Sequence, residues 1–217
     1  MDKPIDNYFD IRLVDLKKAL EDNNFEVFIA ENGEDAKKLV LEQILPALAP
    51  KSIAWGGSIT FVKTGLFHEL RKRTDLKVID TYDQTISLEE AMERRRQGLM
   101  TDLYFTSANA ITETGMLVNL DMIGNRVGAL TFGPKNVVVL AGLNKIVPDL
   151  DDAMFRIKNY AAPINAMRLD KKTPCTKTSV CADCKSPDRI CNTWTITEKS
   201  FPPKRIKIVL IKQELGF

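Results

Sequence analysis

Apolar residues recur at Leu13, Leu16 and Leu20 within 8–24, the spacing of a helix that buries one stripe. The run Glu26-Val27-Phe28-Ile29-Ala30 that follows is short and β-rich, which predicts a strand. The pair then repeats. Ala36, Leu39, Val40 and Ile44 predict a helix over 33–48, stopped near Pro46 and Pro50, and Ser52-Ile53-Ala54-Trp55 reads as a buried strand. Ser58 is placed to cap a helix from Ile59 to about Arg73, and Lys77-Val78-Ile79-Asp80 is the next strand. Ser87-Leu88-Glu89-Glu90 has the shape of a capping box and opens a helix ending near Gly98. Asp102-Leu103-Tyr104-Phe105-Thr106 is again a strand. Beyond it the pattern predicts strands at 116–120, 126–131 and 136–140, a helix over 150–160, and an apolar run in 205–211 that returns as a strand to the main sheet. Alternation early and clustered strands late predict an α/β sheet with a mixed edge.

Composition narrows the class. The 217 residues are 44% hydrophobic and 28% charged, enough for one domain over 1–217 with its own core, which excludes global disorder. A net charge of +2 gives no electrostatic reason to expect a nucleic acid, and Arg94-Arg95-Arg96 reads as a solvated helix face. No apolar run reaches the roughly 18 residues of a membrane helix, and 1–10 is too polar for a signal peptide. The expectation is a cytoplasmic protein with no membrane partner. His68, the sole histidine, falls mid-helix, so a histidine-based triad is not expected.

Chemistry is expected where strands end. Trp55-Gly56-Gly57-Ser58 joins a strand to a helix, and Gly56 and Gly57 would let backbone approach an anion closely at a helix N-terminus. It is neither a Walker A loop nor a full G-x-G-x-x-G, so no nucleotide cofactor motif is established. The segment 106–115 is rich in hydroxyls and amides, with Asn109, Thr114 and Gly115 as candidate ligand contacts. Glu113, its one acid, is the candidate catalytic group, able to orient a hydroxyl, act as a base or attack an acyl group. A third strand runs into Gly142, Asn144 and Lys145, where the lysine suits an anionic group. Three such loops on one rim predict a site for a small organic anion.

All four cysteines lie in 174–192, a predicted excursion from the domain: Cys175, Cys181, Cys184 and Cys191, spaced C-x5-C-x2-C-x6-C. In a reducing compartment this pattern points to metal ligation over disulfides. Zinc, a [4Fe–4S] cluster and unligated redox thiols all fit the thiol set. Cys184 is followed by Lys185-Ser186-Pro187 where zinc knuckles often carry glycine, which leans toward the cluster. Trp194 is expected to pack the excursion.

With these segments in view, the chain resembles the LUD-domain family, the lactate-utilization protein C or YkgG-like group. The resemblance rests on Ala54-Trp55-Gly56-Gly57-Ser58, on Thr106-Ser107-Ala108-Asn109-Ala110 leading to Glu113-Thr114-Gly115, on Gly124-Asn125-Arg126-Val127, and on Ala141-Gly142-Leu143-Asn144-Lys145-Ile146-Val147. It implies a fold similar to the NagB/RpiA/CoA-transferase superfamily, a Rossmann-like mixed α/β sheet, and an association with oxidation of L-lactate to pyruvate beside iron–sulfur partner proteins. It maps Gly56, Gly57, Asn109, Glu113, Gly115, Gly142, Asn144 and Lys145 onto a ligand rim. Many relatives lack the cysteine segment, and the chain looks like the subgroup that carries it. The expected function is therefore a redox component of lactate-like carboxylate metabolism with a four-cysteine metal site, either alone or as a homo-oligomer. The alternatives are an acyl- or phospho-ligand transferase or isomerase with a structural metal, and a non-catalytic assembly or regulatory subunit.

Overall fold

A computed structural model describes residues 3–217; Met1 and Asp2, at the head of the polar stretch read above, lie outside the described residues. Six parallel strands form the main sheet: β1 (Glu26–Ala30), β2 (Ser52–Trp55), β3 (Lys77–Ile79), β4 (Leu103–Thr106), β7 (Asn136–Gly142) and β10 (Ile206–Ile211), in the order β1-β10-β7-β4-β2-β3. A second sheet of four strands holds β5 (Ala110–Thr112), β6 (Leu117–Asp121), β8 (Ile146–Val147) and β9 (Thr193–Thr197), in the order β8-β5-β6-β9. The antiparallel pairing expected at the edge of the main sheet occurs in this separate sheet, where β6 pairs antiparallel to both β5 and β9. The cause is the sharp exit after β4: the chain leaves the main sheet at Ser107 and hairpins over its face before returning as β7.

Side chains of the main sheet divide by the two-residue period. Val137, Val139 and Ala141, with Ile206, Ile208 and Leu210, enter a core shared with Leu13, Leu16 and Leu20 of α1 (Lys3–Asp22). Val138 and Leu140, with Val209 and Ile211, enter a second core on the opposite face. There they meet α2 (33–48), α3 (Ile59–Lys63) and α4 (Leu66–Arg71). Both faces are covered, as a parallel sheet requires. The helix expected over 59–73 breaks at Gly65, whose φ of +81° ends α3 and starts α4.

Three further helices follow before the cysteine segment. Helix α5 (Leu88–Gly98) begins at Ser87, whose side chain accepts from Glu90 N–H as the capping box predicts. Helix α6 (Asn125–Thr131) replaces the strand expected over 126–131. Its buried residues Arg126, Val127, Ala129 and Leu130 follow helical spacing, and Gly124 at φ +87° supplies the left-handed entry. Helix α7 (150–168) passes through a π-helical turn at Ile157–Ala161 and covers the second sheet, where Ala153 and Ile157 pack with Ala110, Val118 and Leu120. No helix among the described residues is long and apolar enough to cross a membrane.

Candidate functional site

In an open parallel sheet a crevice forms where neighbouring strands send their chains to opposite faces. Here that place lies between β2, which exits to α3 on one face, and β4, which exits to the second sheet on the other. Gly56 N–H donates to Phe105 O at 3.1 Å, and Thr106 Oγ donates to Gly56 O at 3.0 Å, so the two exits are stitched together. Gly56 is required by proximity: a Cβ there would sit 2.0 Å from the Tyr104 hydroxyl. That hydroxyl is buried beside the Asn125 side chain, and burial pushes it well above the usual phenol range.

The expected anion cradle at the start of α3 is largely occupied by the protein. Ser58 N–H donates to Tyr82 Oη at 2.8 Å, and Ser58 Oγ accepts from Phe61 N–H at 2.9 Å. The positive groups lie deeper and come from elsewhere. Arg126, 4% exposed, donates to Ser107 O, Asn119 Oδ1, Asn109 Oδ1 and Leu120 O, and pairs with Asp121 at 3.3 Å. Arg156 reaches over from α7, donating through Nε to Asn144 O and through Nη1 to Asn109 O, each at 2.8 Å. Its Nη2 is buried with no partner among the described residues.

Lys145 completes the group. Its ammonium donates to Ser107 Oγ at 3.0 Å and Ala108 O at 3.1 Å and is 4% exposed. Burial, then the nearby Arg156 and Arg126, bring its pKa down to about 7. Segment 212–217 lies over this end of β7. Asn144 grips it at both faces of its amide, accepting from Leu215 N–H and donating to Gly216 O, each at 3.1 Å. Gly142 has no room for a side chain, since a Cβ would be 2.5 Å from Gln213 O.

Of the candidate residues, Gly56, Gly57, Ser58, Asn109, Gly142, Asn144 and Lys145 thus gather at one end of the main sheet. Gly57 packs on Arg126, which reaches Ser107, the contact of Lys145. Glu113, Thr114 and Gly115 lie together at the β5–β6 turn, beyond the far end of β5 from Asn109. Glu113 is ion-paired with Arg12 of α1, whose Nε donates to it at 2.6 Å, and Asn23 Nδ2 donates to Gly115 O at 3.1 Å. Arg156 is absent from the sequence-based candidates, and Arg126 enters only within Gly124-Asn125-Arg126-Val127, without a site role. The signal was there for Arg126, an arginine among apolar residues at helical spacing; Arg156 has none, because its reach depends on how α7 docks.

The cysteines form a second locus. All four cysteines line one hollow between α7 and the segment 173–191, walled by Ala162, Ala166 and Ile190, and none is in a disulfide. Asp183 N–H donates to Cys181 Sγ at 3.4 Å, and Thr173 Oγ lies 3.2 Å from Cys175 Sγ. Arg189 donates to Cys184 O at 2.7 Å and to Cys191 O at 2.8 Å, tying the third cysteine to the fourth. Lys158 of α7 pairs with Asp183 at 2.9 Å. As arranged, no three ligating side chains among the described residues converge closely enough to hold one ion. Trp194 packs, like Cys191, against the core between the second sheet and α7.

A family model described as the LUD domain matches residues 13–211. A solved structure described as a DUF162 family protein from Deinococcus radiodurans is similar in fold at a TM-score of 0.50. It is 14% identical, with 93% of this chain and 97% of that one covered. No curated protein matches the chain.

Proposed function

The chain belongs to the LUD domain family, and from that premise we propose that it binds a small organic anion at the β2–β4 rim. In this reading it serves as a component of lactate-like carboxylate redox metabolism, with a metal held by Cys175, Cys181, Cys184 and Cys191. What supports anion binding is one observation above the others: Arg126, Arg156 and Lys145 meet around Ser107 and Asn109, and Arg156 keeps a buried donor without an acceptor among the described residues. Buried donors are nearly always satisfied, and a carboxylate would satisfy this one with a charge-assisted bond. Lys145 sits beneath segment 215–216 and acts by orienting Ser107; near-neutral poise lets it exchange a proton with that hydroxyl. Glu113 enters the reading through its pairing with Arg12, which holds α1 against the β5–β6 turn.

The test is a thermal-shift and calorimetric series with L-lactate, pyruvate, acyl-CoA esters and sugar phosphates, on the native chain and on Arg156→Gln. The expected result is binding of the hydroxy or keto acid, weakened roughly tenfold or more in Arg156→Gln, the worth of one hydrogen bond to a charged group. Binding of CoA esters or sugar phosphates alone would transfer the site to a transferase or isomerase. Binding of none of them would leave the rim without an anion role.

A further inference from the structure

We propose that β9 is a docking edge for a second copy of this chain, pairing antiparallel with its own twin about a two-fold axis at Thr195. The two sheets end in four edge strands, β1 and β3 on one, β8 and β9 on the other. An edge offers a row of N–H and C=O groups to other strands, and proteins guard it with charge, proline or brevity. Three of the four are guarded. The Lys17 ammonium sits on β1, donating to Val27 O at 2.5 Å, while β3 has three residues and β8 two. β9 reads Thr-Trp-Thr-Ile-Thr: five residues, no charge, no proline, and only β-branched or aromatic side chains.

The groups that face outward follow from β6. Leu120 N–H donates to Asn109 Oδ1 on the β5 side, so the backbone groups of residues 117, 119 and 121 are the ones turned to β9. Their register partners are Thr197, Thr195 and Thr193. Alternate residues of a strand point the other way, which leaves the N–H and C=O of Trp194 and Ile196 facing out of the sheet. No backbone group outside the sheet bonds them among the described residues.

The order of residues in β9 names the occupant. About a two-fold at Thr195, Thr193 comes opposite Thr197, Trp194 opposite Ile196, and Thr195 opposite itself. Trp194 and Ile196 then form hydrogen-bonded pairs across the axis, and each outward N–H and C=O gains a partner. A register moved by two residues would leave Trp194 or Ile196 of each strand beyond the end of its twin. The side chains agree with this register. Trp194 and Ile196 share the face of Leu120 and Val118, where Trp194 packs on the core beneath α7 and Ile196 is left 38% exposed. Pairing sets each Trp194 beside an Ile196 of the other copy, an aromatic residue against a β-branched one, with threonines meeting on the opposite face.

Charge and apolar surface fit as well. Glu198 and Lys199, the first charges past the strand, come opposite Asn192 and Cys191, so no like charges meet there. Exposed apolar side chains flank both ends: Met122 and Ile123 beside Asn192, which donates to Met122 O at 3.1 Å, and Phe201 beyond Thr197. Antiparallel pairing brings the Phe201 end of each copy to the Met122 end of the other. That adds apolar area to a strand pairing too small by itself for a stable dimer.

The experiment follows the full chain by sedimentation equilibrium and residue-resolved amide exchange from roughly 1 to 200 μM, the range suited to a modest interface. The expected mass rises from 24.4 kDa toward twice that value. The Trp194 and Ile196 amides should slow roughly tenfold or more in the dimer, while those of Thr193, Thr195 and Thr197 change little. Ile196→Lys places a charge on an already exposed position, so it should fold normally and weaken dimerisation roughly tenfold or more, each loss counting twice by symmetry. Ile196→Pro removes an N–H that β6 does not use, so it should abolish the dimer and keep the native urea slope. Should the proline variant fail to fold, Ile196→Lys carries the test. A chain that stays at 24.4 kDa throughout overturns the proposal. So does a dimer that Ile196→Lys leaves intact, or one in which the Trp194 and Ile196 amides exchange as fast as in the monomer.

Discussion

At the scale of single residues, the rim is governed by what it costs to bury charge. Lys145 is an amine held at about 7 in the folded chain against an ordinary 10.5. Between those values the unfolded chain binds more protons than the folded one, so this group makes stability rise with pH across that window. Below it both states carry the ammonium and the full burial cost is present; above it both are neutral and the cost is gone. Lys145→Met removes the titration. Comparing urea unfolding at about pH 7 and about pH 9.5, the native chain should gain stability relative to the variant as pH rises. A difference that stays constant would mean that Lys145 is not buried as described. The sequence made Lys145 legible as a cation at a strand exit. It could not reveal that two arginines and segment 215–216 close over it, since those contacts join residues remote along the chain.

At the scale of elements, legibility followed periodicity. Strands β1 and β2 and helix α2 lie where their patterns place them, because each has a clear period and a capping or stopping residue. Helix α6 failed because Arg126-Val127-Gly128-Ala129-Leu130-Thr131 is short, β-tolerant in composition and broken by a glycine. What makes it a helix is tertiary: Arg126 turned inward to the Ser107–Asn109 loop, and a cap from a distant segment. That cap is Arg205, 9% exposed, which donates to the carbonyls of Ala129 and Leu130 at 2.7 Å and of Pro134 at 3.1 Å. These include carbonyls from the end of α6 that the helix itself leaves unpaired. Arg205→Met keeps much of the packing and removes all three donors, so it should destabilise the chain by about 2–4 kcal/mol. A lower urea midpoint at unchanged slope would confirm a local loss, whereas a changed slope would mean that α6 had detached.

At the scale of the whole molecule, the order of strands decides which parts are separable. β10 is formed from 206–211 near the end of the chain, yet it lies between β1 and β7 and pairs with both over most of its length. The cysteine segment is thus inserted within the fold, upstream of a strand the main sheet needs. Lys172 N–H donates to Asp188 Oδ2 at 2.8 Å, and Ser186 Oγ donates to Lys172 O at 3.0 Å, so the chain at 172 lies beside the chain at 186–188. Replacing 173–187 with a short Gly/Ser linker should therefore leave one cooperative unfolding transition with nearly the native slope, since closing a loop of that size costs little. Ending the chain at Arg168 should instead abolish that transition, because β6 loses β9 and the sheet loses a central strand. Circular dichroism with urea titration separates the outcomes. If the linker variant also fails to fold, the hollow is part of the domain's foundation, and the cysteine segment braces the sheet.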